Sequence, residues 1–308
     1  MFGLEYFSLS AQWSPFFLLF IVLVGAAYWL ATGSCRERFA QSGPVPLKKK
    51  LYFLLGLAVV YLAFGSPVDL LGHLFFSAHM VSMSLGYLAA PPLLLLGMPE
   101  WMLRPVIGRL VSGKWRFLLH PIVTLVLFNA LFSFYHMPAV HDYVMTHYTA
   151  HVVYYIALFI AAMLMWWHMV NPLPEYRRFS GLRQIAYVFA DGVLLTPACA
   201  LIIFAGTPLY GSYSDASVWV QAMGFCAPGM DPEVLLERFG GPQYFALMDP
   251  VHDQQLGGVI MKLMQEILYG TALFNILIRW YRSENPKDSL EPANDRDVPL
   301  DAGELNRA

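Results

Sequence analysis

The stretch SPFFLLFIVLVGAAYWLAT, residues 14–32, contains no charged side chain. An α-helix rises about 1.5 Å per residue, so a run of this length crosses the ~30 Å hydrocarbon core of a bilayer. The segment before it has no Lys or Arg, and the first positive charges follow the apolar run. A cleaved signal peptide has the opposite order, so the sequence predicts a retained transmembrane helix.

Apolar runs of similar length recur along most of the chain. Of its 308 residues, 57% are hydrophobic and only 13% are charged, whereas a soluble domain has about 25% charged residues. The runs predict seven spans, at residues 14–32, 50–65, 71–97, 117–135, 149–170, 183–206 and 255–281. We therefore predict an all-α, polytopic membrane protein whose seven-helix membrane domain occupies residues 1–282.

The basic residues predict its orientation. All of the 19 Lys and Arg residues except Arg238 and Lys262 lie in the hydrophilic segments next to the inner ends of the spans. By the positive-inside rule, the N-terminus is outside and the C-terminus is cytoplasmic. The connection 207–254 then lies outside, where we expect it to cover the bundle. The polar segment 283–308 is predicted to be a disordered cytoplasmic tail.

Seven of the nine His residues lie toward the outer side: His73, His79, His136, His141, His147, His151 and His252. A lone interfacial His usually anchors a helix or forms a hydrogen bond, but imidazole is also the commonest ligand for copper, zinc and haem iron. His79 would lie ~12 Å below the outer boundary of its helix, so its ring should face the bundle interior.

Methionines accompany His79 on its predicted helix. Met83 lies four residues on and shares a helix face with His79, and Met80 adjoins it. Thioether and imidazole together select copper, particularly Cu(I). The three cysteines are far apart and form no CxxC, so neither a disulfide framework nor a thiolate site is expected. We predict a metal site at His79, Met83 and Met80, with candidate partners His73, His136, His151 and His252. His141 and His147 are expected to be solvated.

Charged and polar side chains also lie within predicted spans. They are Asp191, Lys262 and Glu266, with the DQQ triplet Asp253, Gln254 and Gln255 at the start of the last span. Two interpretations remain open, a neutralising network that holds the last two spans together and a pathway for ions or protons. The dipeptide Pro91-Pro92 and the single Pro197 predict bends in their helices.

Three segments resemble the CtaG-type cytochrome c oxidase assembly factors. They are SAHMVSMSLGYLAAPPLLLLGMP at residues 77–99, the elements His120-Pro121 and His136-Met137-Pro138 on either side of one span, and DQQLGGVIM at residues 253–261. The similarity extends over all seven predicted spans. Many members have a second His where this chain has Met83, so the family's His–His pair does not carry over, although a His/Met pair could still hold Cu(I).

The resemblance implies a role in building a caa-type haem-copper oxidase in a bacterial plasma membrane. The expected partners are terminal oxidase subunits and the lipid bilayer, with no nucleic acid, and copper is the metal that the family has been proposed to supply. Metal centres of such oxidases lie in or above the outer half of the membrane, on the side where the sequence collects imidazoles.

Other functions remain open at this point. Opposed imidazoles on two helices could hold haem in a membrane electron carrier, and Asp191, Lys262 and Glu266 could serve an ion or metal transporter. The sequence shows neither a paired nucleophile and base nor a phosphate-binding loop, so an enzyme is not predicted.

Overall fold

The computed structural model of this protein describes residues 3–39, 41–176, 179, 181–224 and 231–285. Every regular element in those ranges is helical, which confirms the all-α prediction. The α-helices are α1 (Leu9–Trp13), α2 (Pro15–Thr32), α3 (Leu47–Phe64), α4 (Pro67–Leu74), α5 (Phe76–Ser84), α6 (Ala90–Gly97), α7 (Glu100–Ser112), α8 (Pro121–Tyr135), α9 (Pro138–Thr146), α10 (Tyr148–Val170), α11 (Gly181–Ile203), α12 (Ala216–Met223), α13 (Pro232–Phe239) and α14 (Pro250–Glu284). The predicted tail lies outside the described residues from residue 286 onward.

Five described segments are long and apolar enough to cross a bilayer: Leu9–Thr32, Leu47–Leu74, Phe76–Gly97, Tyr148–Val170 and Gly181–Ile203. A sixth results if α8 and α9, which are bent by 79°, form one broken span. The predicted seventh span corresponds to α14, whose 35 residues include several charged side chains. The chain is a multi-pass membrane protein by these features, while seven crossings and the orientation of the termini stay predictions.

The boundary between the second and third spans differs from the predicted one. The chain passes from α3 through Gly65 and Ser66 into α4, and the Ser66 hydroxyl accepts from the N–H of Val68 at 3.2 Å. Proline at the first position of α4 suits a helix start, because its fixed φ is helical. The break falls at Phe75 instead, so the boundary predicted between residues 65 and 71 is wrong, and His73 ends the second span.

The helices differ at the two proline sites where bends were predicted. A π-helical turn, Leu85–Ala89, precedes Pro91 and Pro92, and the helix then continues as α6. Neither proline donates a backbone hydrogen bond and each ring crowds the preceding turn, which the wider π turn relieves. Pro197 lies inside α11 without interrupting it.

The main core lies where α5, α8, α10, α11 and α14 meet. Its fully buried side chains include Met83, Phe128, Phe132, Met165, Leu195 and Met261. In contrast, α2 lies at the periphery, where Phe16 is 88% exposed and Leu23 is 58% exposed. An apolar surface of this kind is unfavourable in water and suits contact with lipid tails.

The described parts of the connection 207–254 form a helical cap. Within it, Trp219, Phe239 and Phe245 pack together with Phe7 of the N-terminal segment in a second core cluster. Leu70 and Leu74 of α4 belong to the same cluster, so the cap is fastened to the end of the membrane helices. Its attachment point is directly next to the helix break that precedes His79.

Candidate functional site

The helix that carries His79 depends on α14 for its start. Phe75 supplies no side-chain cap to α5, although the first N–H groups of a helix lack partners within it. The Asp253 carboxylate accepts from the N–H of Phe76 at 2.6 Å and from the N–H and hydroxyl of Ser77 at 3.4 and 2.5 Å. A negative charge is also favoured at the positive end of the helix dipole. Asp253 therefore fixes where α5 begins.

The two glutamines that follow Asp253 hold other segments to α14. Gln254 accepts from the N–H of Leu209 at 2.8 Å and donates to the carbonyl of Ile202 at 3.4 Å. Gln255 donates to the carbonyl of Ala205 at 3.0 Å. The carbonyls at the end of a helix lack partners within it, so these bonds secure the end of α11 and the start of the cap.

The glycines of the DQQLGG run permit close helix packing. A Cβ at Gly257 would lie 2.7 Å from the Phe76 ring and 3.1 Å from Met80. A Cβ at Gly258 would lie 2.7 Å from the Ile203 side chain. The glycines thus let α14 approach α5 on one face and α11 on another.

Five of the imidazoles gather at this end of the bundle. The ring centroids of His79 and His141 are 5.3 Å apart, and those of His79 and His136 are 6.4 Å apart. His73 and His151 form a neighbouring pair with centroids 5.9 Å apart. Four of the rings lie on α4, α5, α9 and α10, and His136 directly follows α8. The cluster therefore exists only in the folded bundle.

The hydrogen bonds of the rings settle which nitrogen carries the proton. His136 Nδ1 lies 2.8 Å from the carbonyl oxygen of Phe132, and His73 Nδ1 lies 3.0 Å from that of Asp69. A carbonyl oxygen can only accept, so Nδ1 is the protonated atom and Nε2 of His136 keeps its lone pair. Within the cluster, buried Nε2 atoms without a hydrogen-bond partner belong to His79, His136, His141 and His151. A metal-binding His commonly donates one ring N–H to a backbone carbonyl and binds the metal through the other nitrogen, and His136 has this arrangement.

Aromatic side chains enclose the rings. Tyr210 lies with its centroid 4.5 Å from that of His141, and it stacks on Phe76 at 4.6 Å. Tyr135 packs beside both His79 and His141, with centroids 5.7 and 5.3 Å away. Bare polar nitrogens in such surroundings are unfavourable without a partner, which makes the cluster a candidate binding site.

Asp142 positions the strip of cap that covers the cluster. Its carboxylate accepts from the N–H groups of Gly211 and Ser212 at 2.9 and 3.0 Å. The neighbouring Tyr210 hydroxyl donates to the carbonyl of His136 at 3.0 Å. Together these bonds hold the start of the cap on α8 and α9.

The methionines nearby are fully buried. Met80 and Met83 on α5 are both 0% exposed, and Met145 on α9 is 1% exposed. The Tyr135 hydroxyl contacts the sulfur of Met145 at 3.6 Å. Thioethers therefore lie on two of the helices that also carry clustered imidazoles.

The centroid separations of three ring pairs are compatible with a metal bound between two imidazoles. A metal bound by one nitrogen of each of two imidazoles, at about 2.0–2.1 Å, places the centroids about 5 to 6.5 Å apart. The three pairs above fall within that range. Among the described residues, no group of three or more His, Cys, Asp or Glu side chains is arranged to hold a metal ion. The geometry therefore fits a site of few ligands rather than a closed cage.

The clustered imidazoles are not the same set as the predicted metal-site residues. The expectation that His141 is solvated is wrong, because its ring is 0% exposed and contacts His79. His252 is exposed at the start of α14. His147 is exposed too, stacking on Tyr143 with centroids 4.1 Å apart.

The inward position of His141 had a signal in the sequence. His141, Val144 and Met145 are buried on one face of α9, the spacing typical of an amphipathic helix. Residues 138–146 are too short and polar to be recognised as a span alone, so this periodicity is easily overlooked.

The three charged groups predicted within spans separate into two sets. Asp191 is 0% exposed and accepts hydrogen bonds from Asn129 and, at 2.5 Å, from Tyr269. Lys262 pairs instead with Glu266 at 2.7 Å within α14 and donates to the Thr196 hydroxyl of α11 at 2.9 Å. Lys262 and Asp191 therefore do not neutralise each other by direct contact, although each ties α14 to its surroundings.

Comparison with known proteins agrees with the resemblance in the sequence. The family described as cytochrome c oxidase caa3 assembly factor (Caa3_CtaG) matches residues 26–283 of the 308. No curated protein and no solved structure gives a significant match. The matched range contains every imidazole of the cluster and the DQQLGG run that supports it. This chain belongs to the cytochrome c oxidase caa3 assembly factor family.

Proposed function

We propose that this protein helps to assemble a caa3-type oxidase by carrying a copper ion, as cargo, on its buried imidazoles. The observation that carries the proposal is the set of bare, buried Nε2 atoms on His79, His136, His141 and His151. Each nitrogen is shielded from water, and a cation bound between two neighbouring rings would satisfy both.

The surroundings favour Cu(I) over a divalent ion. The ligands in the cluster are neutral imidazoles, with methionine thioethers on the same helices, and thioether with imidazole is a soft set that selects Cu(I). The cost of burying an ion rises steeply with its charge, so a monovalent ion suits a neutral pocket better than a divalent one. A site with few ligands also releases its ion readily to a partner that offers more.

Other cargoes and mechanisms receive less support. Aromatic rings fill the space around His79 at centroid distances of 5.7 and 5.9 Å, which favours a bare ion over a flat haem between opposed imidazoles. A transport pathway through Asp191 and Lys262 has no support from a direct contact, since each has other partners.

The binding test compares buried and exposed imidazoles. Purified protein should compete with a chromogenic chelator for Cu(I), and His79→Ala or His141→Ala should weaken that binding at least about tenfold, equivalent to ~1.4 kcal/mol. His147→Ala is the matched control, because its ring is exposed and stacks on Tyr143 rather than on a clustered imidazole. A double variant of His79 and Met83 that binds Cu(I) as tightly as wild type would overturn the copper role.

A cellular test separates delivery from scaffolding. Deletion of the gene should abolish activity of the caa3-type oxidase, and added copper should restore it if the protein delivers the ion. The His141→Ala variant should then also be rescued by copper. Loss that persists in excess copper would contradict delivery and leave association with oxidase subunits as the role.

A further inference from the structure

Two cavities adjoin each other at the basic end of the bundle, at the opposite ends of the spans that carry His73 and His79. The larger, of about 560 Å³, is lined by Phe39, Gln41, Trp101, Met102, Arg104 and Pro105. The smaller, of about 260 Å³, shares Gln41, Trp101 and Arg104 and adds Lys49 and Glu100. These residues follow α2, begin α3 or begin α7, so the cavities lie where membrane spans meet the aqueous boundary.

The larger cavity is apolar and built from aromatic contact. The rings of Phe39 and Trp101 pack with centroids 5.2 Å apart. The Trp101 Nε1–H is buried without a hydrogen-bond partner. An apolar slot with one unsatisfied donor suits a ligand that has a hydrocarbon part and an acceptor oxygen.

The smaller cavity is lined by two cations, Lys49 and Arg104, and by the carboxylate of Glu100, which pairs with Arg104. Arg104 donates from Nε to Glu175 at 2.6 Å and from Nη2 to Glu100 at 3.2 Å, which orients the guanidinium and leaves Nη1 outside both contacts. The hydrogen bond from Arg104 holds the pKa of Glu175 below its ordinary value, so this ion pair persists at neutral pH. Lys49 lines the cavity as the second cation.

Lys49 differs from the lysines on either side of it. The Lys48 ammonium lies 5.7 Å from the Tyr52 ring centroid, and the Lys50 ammonium lies 4.8 Å from that of Trp29. Both neighbours therefore have aromatic partners, whereas Lys49 faces the cavity that Arg104 shares. This difference supplies an internal control for any effect of charge alone.

We propose that the paired cavities bind an anionic phospholipid, with its phosphate between Lys49 and Arg104 and an acyl chain along Phe39 and Trp101. A free phosphate would satisfy the cations but leave the apolar slot empty. A zwitterionic lipid would fill the slot but bring its own positive charge to the cations. Anionic lipids are concentrated where basic residues cluster at a membrane surface. The site is independent of the imidazole cluster.

The test measures lipid retention by native mass spectrometry on the full-length protein in detergent. The probes are phosphatidylglycerol and phosphatidylcholine with identical acyl chains, and inorganic phosphate as competitor. Wild type should retain phosphatidylglycerol about fivefold better than phosphatidylcholine, the effect of one interfacial cation. Lys49→Gln should remove that preference, and Lys49→Arg should restore it. Lys48→Gln, which changes net charge equally, should leave it intact.

Three outcomes would overturn the proposal. Equal retention of both lipids would reduce the site to an apolar groove. Displacement of phosphatidylglycerol by millimolar phosphate would show an anion site without a lipid. An equal effect of Lys48→Gln would show diffuse attraction to a basic surface. Unchanged thermal unfolding of Lys49→Gln without lipid would establish that the variant is folded, and copper binding should be the same in every variant.

Discussion

At the scale of single residues, Asp253 has the largest consequence for the site. Removing it by Asp253→Ala leaves the buried N–H groups at the start of α5 unpaired, which costs about 1–3 kcal/mol. Both the midpoint of chemical unfolding and the affinity for Cu(I) should fall. Asp249→Ala is the matched control, because Asp249 also caps a helix but is exposed at the start of α14. It should lower stability slightly and leave Cu(I) binding unchanged. Equal loss of Cu(I) binding in both variants would contradict this role of Asp253.

The sequence predicts better which side chains are buried inside a long span than which ones become buried through contacts between distant segments. His79 was predicted to face the bundle interior because an imidazole deep in a span needs a partner, and its 3% exposure confirms that. The inward position of His141 was missed, because its only signal is the short apolar spacing of His141, Val144 and Met145 in α9. The role of Asp253 was also hidden, because it caps a helix that is remote in the chain.

At the scale of elements, the distance between α14 and α5 is set by a glycine. Gly257→Ala places a methyl group 2.7 Å from the Phe76 ring, so α14 and α5 must separate or the ring must rotate. Thermal unfolding should shift to lower temperature and Cu(I) binding should weaken. Gly270→Ala, in the same helix, meets no atom within 4 Å and should be neutral or stabilise the protein by about 0.5–1 kcal/mol. Equal stability of the two variants would refute close packing at Gly257.

The bounds of a helix were predicted well where an apolar run alone determines them, and poorly where contacts with other helices determine them. The apolar runs of α2, α10 and α11 predicted their helices to within a few residues. The boundary at Phe75 was missed because both flanking segments are apolar, and only the carboxylate of Asp253 distinguishes the true start of α5. The π turn was likewise absent from the prediction, which gave a bend at the prolines without its form.

At the scale of the whole molecule, the number of membrane crossings can be tested by finding the side of the membrane on which chosen residues lie. In a background without the native cysteines, Gly43→Cys and Gly206→Cys introduce exposed thiols with no atom within 4 Å of either Cβ. If α8 and α9 form one crossing, five spans separate the two positions, so they lie on opposite faces. An impermeant thiol reagent on intact cells should label Gly206→Cys, and should label Gly43→Cys only after permeabilisation.

A third position reports on α14. Ser283→Cys lies at its exposed end. If α14 crosses the bilayer, this thiol should behave like Gly43→Cys and be protected in intact cells. Labelling of Ser283→Cys from outside would mean that α14 does not cross, and the predicted seventh span would be wrong.

The cap of α5 comes from a residue 177 positions later in the chain. Because a chain emerges N-terminal end first, His79 is inserted long before Asp253 exists. The helix that carries it has no settled starting point until α14 has been made. A chain stalled before α14 would therefore lack an organised cluster, and on the proposed function it would not bind copper.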